Sequence, residues 1–219
     1  IICISYKLFN YKYTKLATSL TFWKNKYGNH HKEIIIFIKK IILLFKKYNI
    51  IYWAHAGTLL GVMRHQGIIP WDDDFDLGYI ANNNNIDKMI DEIKDDYIIT
   101  PMFFGFKKIN KQNNAVFIDM FKFTINDNDA KQTNVSQQTW PKENYFLDEL
   151  FPLKKAKFQN IQLPIPNKPR LFCKRAFGKN YMKIYYVNLP HLQSFLNNIL
   201  DGIGMLSIKN QKFFIKDLL

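Results

Sequence analysis

At 219 residues and 26.1 kDa the chain is long enough for one full-sized core and too short for two ordinary domains with a linker, while 47% hydrophobic residues, 19 Phe, 12 Tyr and 4 Trp exclude intrinsic disorder. The net charge of +13 is uneven: residues 1–50 carry +9, residues 51–149 carry −6 and residues 150–219 carry +10. Because 28 of the 31 basic residues are Lys, whereas readers of nucleic-acid sequence favour the Arg fork, nucleic acid is set aside as a partner, and Cys3 and Cys173 lack the spacing of a disulfide framework or a zinc site.

In chain order, the apolar positions 34, 37, 38, 41, 42, 45 and 48 follow helical spacing and predict an amphipathic helix. Lys39-Lys40 at its centre rules out a membrane span, which needs about 20 apolar residues. Two roles stay open for it: packing on the domain, or peripheral contact with a membrane through its Lys-rich face. With no signal peptide or spanning helix visible, the expected location is cytoplasmic or membrane-peripheral. The expected division is a basic segment over 1–33, one domain over 34–200 and a tail over 201–219. Residues 50–56 read as a buried strand ending at Gly57, and 58–64 as a short helix. Gly67 to Trp71 is a turn, since Pro70 restricts Ile69 to extended geometry. A strand is expected over 72–80, a loop over Asn82 to Asn85 and a helix over 86–97. Strands at 103–108 and 115–123 flank a polar turn at Asn110 to Asn114, and 126–144 reads as a polar loop. Four prolines break up the following segment, and helices are expected at 170–179 and 191–200.

The chemical signal is Asp72-Asp73-Asp74-Phe75-Asp76-Leu77, four carboxylates in five positions. In a strand, alternation would send Asp72, Asp74 and Asp76 to one face and pin Phe75 and Leu77 in the core. Such crowding calls for a cation, and hard oxygen donors suit Mg²⁺ or Mn²⁺. Asp119 interrupts the apolar run Val116 to Phe121, and a metal shared with Asp74 and Asp76 would partner it. The metal set expected is Asp72, Asp74, Asp76 and Asp119, against the alternatives of a solvated acidic turn at 72–76 and an Asp119 on the exposed face of an edge strand. Gly57 and Thr58, where strand meets helix, offer backbone N–H groups to a phosphate. Arg64, one of three arginines, suits a phosphate or carboxylate clamp, and His65 lies beside it. Lys174 and Arg175 belong to a basic stretch suited to an anionic substrate.

The run Gly57-Thr-Leu-Leu-Gly, then Arg64-His65, then Gly67-Ile-Ile-Pro-Trp-Asp-Asp-Asp-Phe-Asp-Leu77 resembles the signature of the LicD/fukutin family. The likeness continues through Asp119, through Leu150-Phe-Pro-Leu153 with Phe158 and Pro164, and through Phe177-Gly-Lys-Asn-Tyr-Met182, where Phe177 replaces the family's Tyr. It implies an α+β, nucleotidyltransferase-like fold, a small mixed β-sheet flanked by helices, with metal-binding aspartates on adjacent strands and Asp74, Asp76 and Asp119 as the catalytic residues. It also implies transfer of a phosphorylated alcohol, phosphocholine or a polyol phosphate, from a CDP-linked alcohol donor to a glycan acceptor. Two alternatives share the fold: a nucleotidyltransferase adding NMP to another acceptor, and a non-catalytic binding domain. The family's fukutin-related members carry a cysteine zinc site, for which this chain has no counterpart.

Overall fold

The computed structural model describes residues 20–80, 83–95, 97–102, 105–110, 117–132, 134–187 and 211–214. Residues Asn25–Lys179 form one compact unit, which holds every acid discussed above. Elsewhere, a hairpin pairs Ile184–Val187 with Gln211–Phe214.

The unit is α+β. Its sheet runs β1 (Ile51–Ala54), β2 (Asp76–Ile80), β5 (Phe117–Ile125), β4 (Gly105–Asn110) and β3 (Tyr97–Met102). β6 (Asp129–Gln132) extends from β5, and β7 (Tyr145–Phe146) pairs with β6. The sheet is mixed: β2 and β5 are parallel, the other pairs antiparallel. Helix α1 (Leu20–Lys47) lays Ile34, Phe37, Ile38, Ile41 and Phe45 into the core, with Phe37 stacked on Tyr97 at 4.7 Å and Phe45 against Tyr52 at 4.7 Å. The predicted apolar stripe is thus the packed face, and Lys32, Lys39, Lys40, Lys46 and Lys47 are exposed. Among the described residues no helix is long and apolar enough to cross a membrane.

β1 turns directly into α2 (Ala56–His65), whose N-cap is His55. Residue 78 must be Gly: a Cβ there would lie 2.5 Å from the ring of Trp53, its register partner on β1. Trp53 in turn packs on Phe123 and Tyr145, a layer of rings beneath the site. Helix α3 (Asn83–Ile93) precedes β3, α4 (Asn134–Thr139) follows β6, and α5 (Leu147–Leu150) leads to the hairpin β8 (Lys154–Phe158) and β9 (Ile161–Ile165). Helix α6 (Pro169–Phe177) starts with Pro at a position that needs no backbone donor.

Four expectations are corrected. Residues 72–75 are not strand: β1 pairs only with 77–80, and the carbonyls of Asp72 and Asp73 meet side chains instead of a ladder. The helix expected over 86–97 begins inside the asparagine run and stops at Ile93, because Tyr97–Met102 pairs with β4. The stretch 126–144 holds β6 and α4: Gln132, which polarity alone would place outside, is buried, its backbone N–H donating to Asn144 Oδ1 at 3.0 Å and its Nε2 to the Glu143 carbonyl at 3.1 Å. Proline did not break up 154–165, because Pro164 sits in a two-stranded hairpin with no further ladder to donate to. Of the strands expected at 103–108 and 115–123, the described residues hold Gly105–Asn110 and Phe117–Ile125, while 103–104 and 115–116 lie outside them. The turn at 110–114 falls mostly, and the helix at 191–200 wholly, outside the described residues.

Candidate active site

Two parallel strands bring the acids together. Asp76 opens β2 in register with Asp119 on β5, and paired residues of a parallel ladder face the same side. The junction is fixed by the Asp119 N–H, which donates to the Phe75 carbonyl at 2.9 Å. Asp74, Asp76 and Asp119 each bring a carboxylate oxygen within 4.8 Å of the others, and Asp72, Asp73 and Asp74 do the same. Asp74 belongs to both groups. The inclusion of Asp73 departs from strand alternation, for the reason that its segment is a loop.

The start of α2 completes the cradle. The Gly57 N–H donates to Asp76 Oδ2 at 2.9 Å, and the Asp76 N–H donates to Thr58 Oγ1 at 2.8 Å. A Cβ on Gly57 would sit 3.0 Å from Asp76 Oδ2 and 3.2 Å from Asp72 Oδ2, so only Gly admits both carboxylates without a shift. Gly57 and Thr58 therefore hold an acid, where the sequence suggested a phosphate.

Electrostatics are governed by burial and like charge. Burial, then the charge of Asp73, pushes Asp72 up to about 6. Burial and the charges of Asp76 and Asp72 hold Asp74 well above the usual carboxylate range; burial with Asp119 and Asp72 does the same to Asp76. A close set of carboxylates that hold protons this strongly for want of a counter-charge is a donor set that fits a hard divalent cation.

Arg64 and His65 end α2 beside this loop. The Arg64 Nε–H donates to His65 Nε2 at 2.9 Å, and both side chains pack on Trp71, the guanidinium 5.6 Å and the imidazole 5.7 Å from its ring. Burial and then the Arg64 charge lower His65 to about 4, which keeps it neutral, and the same guanidinium eases the ionisation of Asp72. Lys174 is exposed on α6. Arg175 donates Nη1 and Nη2 to the two oxygens of the buried Glu149 at 3.1 and 2.8 Å, Nη2 to the Asn144 carbonyl at 2.6 Å and Nε to the Lys142 carbonyl at 3.2 Å. It is a strut for residues 142–149, not an open anion clamp.

Two groups went unnoticed in the sequence. His30 Nε2 and His31 Nε2 of α1 lie 2.7 Å from the carbonyls of Asp73 and Asp72. Behind Gly57, a fully buried His55 is ringed by Phe121, Phe123, Tyr145 and Phe172, with Nδ1 2.9 Å from Tyr145 Oη and Nε2 3.2 Å from Gln132 Nε2. Glu143 Oε2 stands 3.5 Å from His55 Nε2, and its charge acts on Asp76. No spacing rule links these positions; only the proximity of His55 to Gly57 gave a signal.

A model of LicD/FKTN/FKRP nucleotidyltransferase domains matches residues 49–168, which contain all the acids above. An uncharacterized protein of Rickettsia typhi is 36% identical over 164 residues, 71% of this chain and 49% of that protein. Human ribitol 5-phosphate transferase FKRP is 27% identical over 143 residues, 58% of this chain and 27% of its own. Lipopolysaccharide cholinephosphotransferase LicD of Haemophilus influenzae is 53% identical over 34 residues, 16% of this chain and 13% of its own. The chain thus spans about half, or less, of the length of these relatives.

Proposed function

The chain belongs to the LicD/FKTN/FKRP nucleotidyltransferase-domain family, and from that premise we propose that it is a metal-dependent phosphotransferase, moving a phosphorylated alcohol from a CDP-linked donor to a glycan hydroxyl. The observation that carries this reading is the convergence of Asp74, Asp76 and Asp119 from a loop and two parallel strands. These three, with Asp72 beside them, would hold Mg²⁺ or Mn²⁺. Such an ion, when bound, offsets the charge of the donor diphosphate and of the CMP that leaves.

The chain's own residues do the rest. Gly57 and Thr58 hold Asp76 from both ends, so the carboxylate is set before substrate arrives. Arg64, whose charge acts on Asp72, draws the anionic donor toward the acid loop. Asp119, coming from a different strand, serves the acceptor: it orients the attacking hydroxyl and takes its proton as the new O–P bond forms and the bond to CMP breaks. Exposed lysines of α6 and of the β8–β9 hairpin, Lys174 among them, raise the local concentration of donor. On α1, exposed Ile36 and Leu43 between lysines form the face that would rest on an anionic membrane surface.

The transferred group is phosphocholine or a polyol phosphate, the classes named for the Haemophilus and human relatives. Incubation with CDP-choline, CDP-ribitol and CDP-glycerol in Mg²⁺, following CMP, tests this: one donor turned over identifies the alcohol, and none turned over with any glycan acceptor refutes the assignment.

A further inference from the structure

The loop that carries Asp72 to Asp74 is the least supported part of the site. It joins no strand ladder, so its backbone groups need other partners. Its ends are tied: the Asp72 N–H donates to the Ile69 carbonyl at 2.9 Å, and the Phe75 carbonyl accepts from Asp119. Between those ends the carbonyls of Asp72 and Asp73 meet two consecutive residues of α1, His31 and His30, both at 2.7 Å. A carbonyl only accepts, so each imidazole donates through its Nε2–H. The order is crossed, His30 to Asp73 and His31 to Asp72, so the helix grips the loop as a two-point clip that also fixes its direction.

We propose that His30 and His31 are positioning residues of the acid site, and that α1, which precedes the family-matched residues 49–168, is a working part of it. The proposal rests on the reading of the acids as a divalent-cation site. Holding the two carbonyls sets the backbone from which the carboxylates of Asp72, Asp73 and Asp74 project, so the clip determines whether they converge before a cation arrives. Groups that orient metal ligands in this way are commonly worth about 10- to 100-fold in metal affinity.

The test uses the full chain and Mn²⁺, read by the electron paramagnetic resonance of the free ion, together with amide hydrogen exchange over residues 72–76. His30→Ala/His31→Ala should weaken Mn²⁺ binding by at least about tenfold and speed exchange in the loop. The His→Gln pair keeps an N–H donor at similar reach and should restore both to near wild type, which a merely structural helix contact would not require. If the Ala pair does not fold, His30→Ala alone gives the same comparison with one bond kept. Mn²⁺ affinity and loop exchange both equal to wild type would overturn the clip. Failure of the wild-type chain to bind Mn²⁺ would instead defeat the metal-site reading, and faster loop exchange in the Ala variants would still establish the clip.

Discussion

Asp72→Asn should stabilise the metal-free protein, and only above a definite pH. Asp72 ionises at about 6 in the folded protein against an ordinary 3.8, because burial and the Asp73 charge oppose its carboxylate. Below pH 3.8 both folded and unfolded chains hold the proton, and Asn, which resembles the neutral acid, changes little. As pH rises from 3.8 toward 6 the unfolded chain ionises first, so wild-type stability falls; above 6 the loss is complete. At roughly 1.4 kcal/mol per pH unit, the gap between 3.8 and about 6 gives about 3 kcal/mol, or a rise in midpoint of about 6–12 °C for Asp72→Asn at pH 7.5. His65, held at about 4, acts with the opposite sign, favouring folding as pH rises through its own range. It is common to both proteins and cancels in the comparison. The assay is thermal and urea unfolding of the two proteins in EDTA between pH 3.5 and 8. Saturating Mn²⁺ should narrow the gap at pH 7.5, since an ion at 100 times its dissociation constant returns about 2.7 kcal/mol to the wild type. A difference independent of pH, or a destabilised variant at pH 7.5, would refute the account of crowded, cation-demanding acids.

Three further outcomes follow from the same geometry. Asp74→Asn and Asp76→Asn should each reduce transfer by at least about 10³-fold with the fold intact by circular dichroism, while Asp119→Asn should damage glycan transfer severely but weaken donor binding less than Asp74→Asn, as calorimetry with donor would show. Gly57→Ala places a methyl 3.0 Å from Asp76 Oδ2, so Mn²⁺ affinity and turnover should drop while thermal stability falls by only about 1 kcal/mol. Arg175→Met leaves Glu149 buried without its partner and should destabilise by about 3 kcal/mol with the donor KM unchanged at permissive temperature; a raised KM at full stability would make Arg175 a substrate contact instead.

The acids were legible because four carboxylates among Trp71, Phe75 and Leu77 conflict with both a solvated turn and a plain strand, and because Asp119 breaks an apolar run. The helix packed through Ile34, Phe37, Ile38 and Ile41 was legible for the same reason, a periodicity that burial enforces. Gly57 and Thr58 were legible as a helix start beside the acids, but their hydrogen bonds to Asp76 were not, because those span 18 and 19 residues. His30, His31 and Glu143 were not legible: they act over separations of more than 40 residues or through a loop whose polarity conceals its order. Arg175 illustrates the same limit, as its bidentate partner Glu149 lies 26 residues away on another element.

The most direct measurement is the identity of the nucleotide released. With Mg²⁺, a glycan acceptor and the CDP-alcohol found by screening, ³¹P NMR of the products should show CMP and a new phosphodiester on the glycan, both lost in Asp76→Asn. Inorganic diphosphate released from a nucleoside triphosphate, with NMP joined to the acceptor and CDP-alcohols left intact, would contradict the account and make the chain a nucleotidyltransferase.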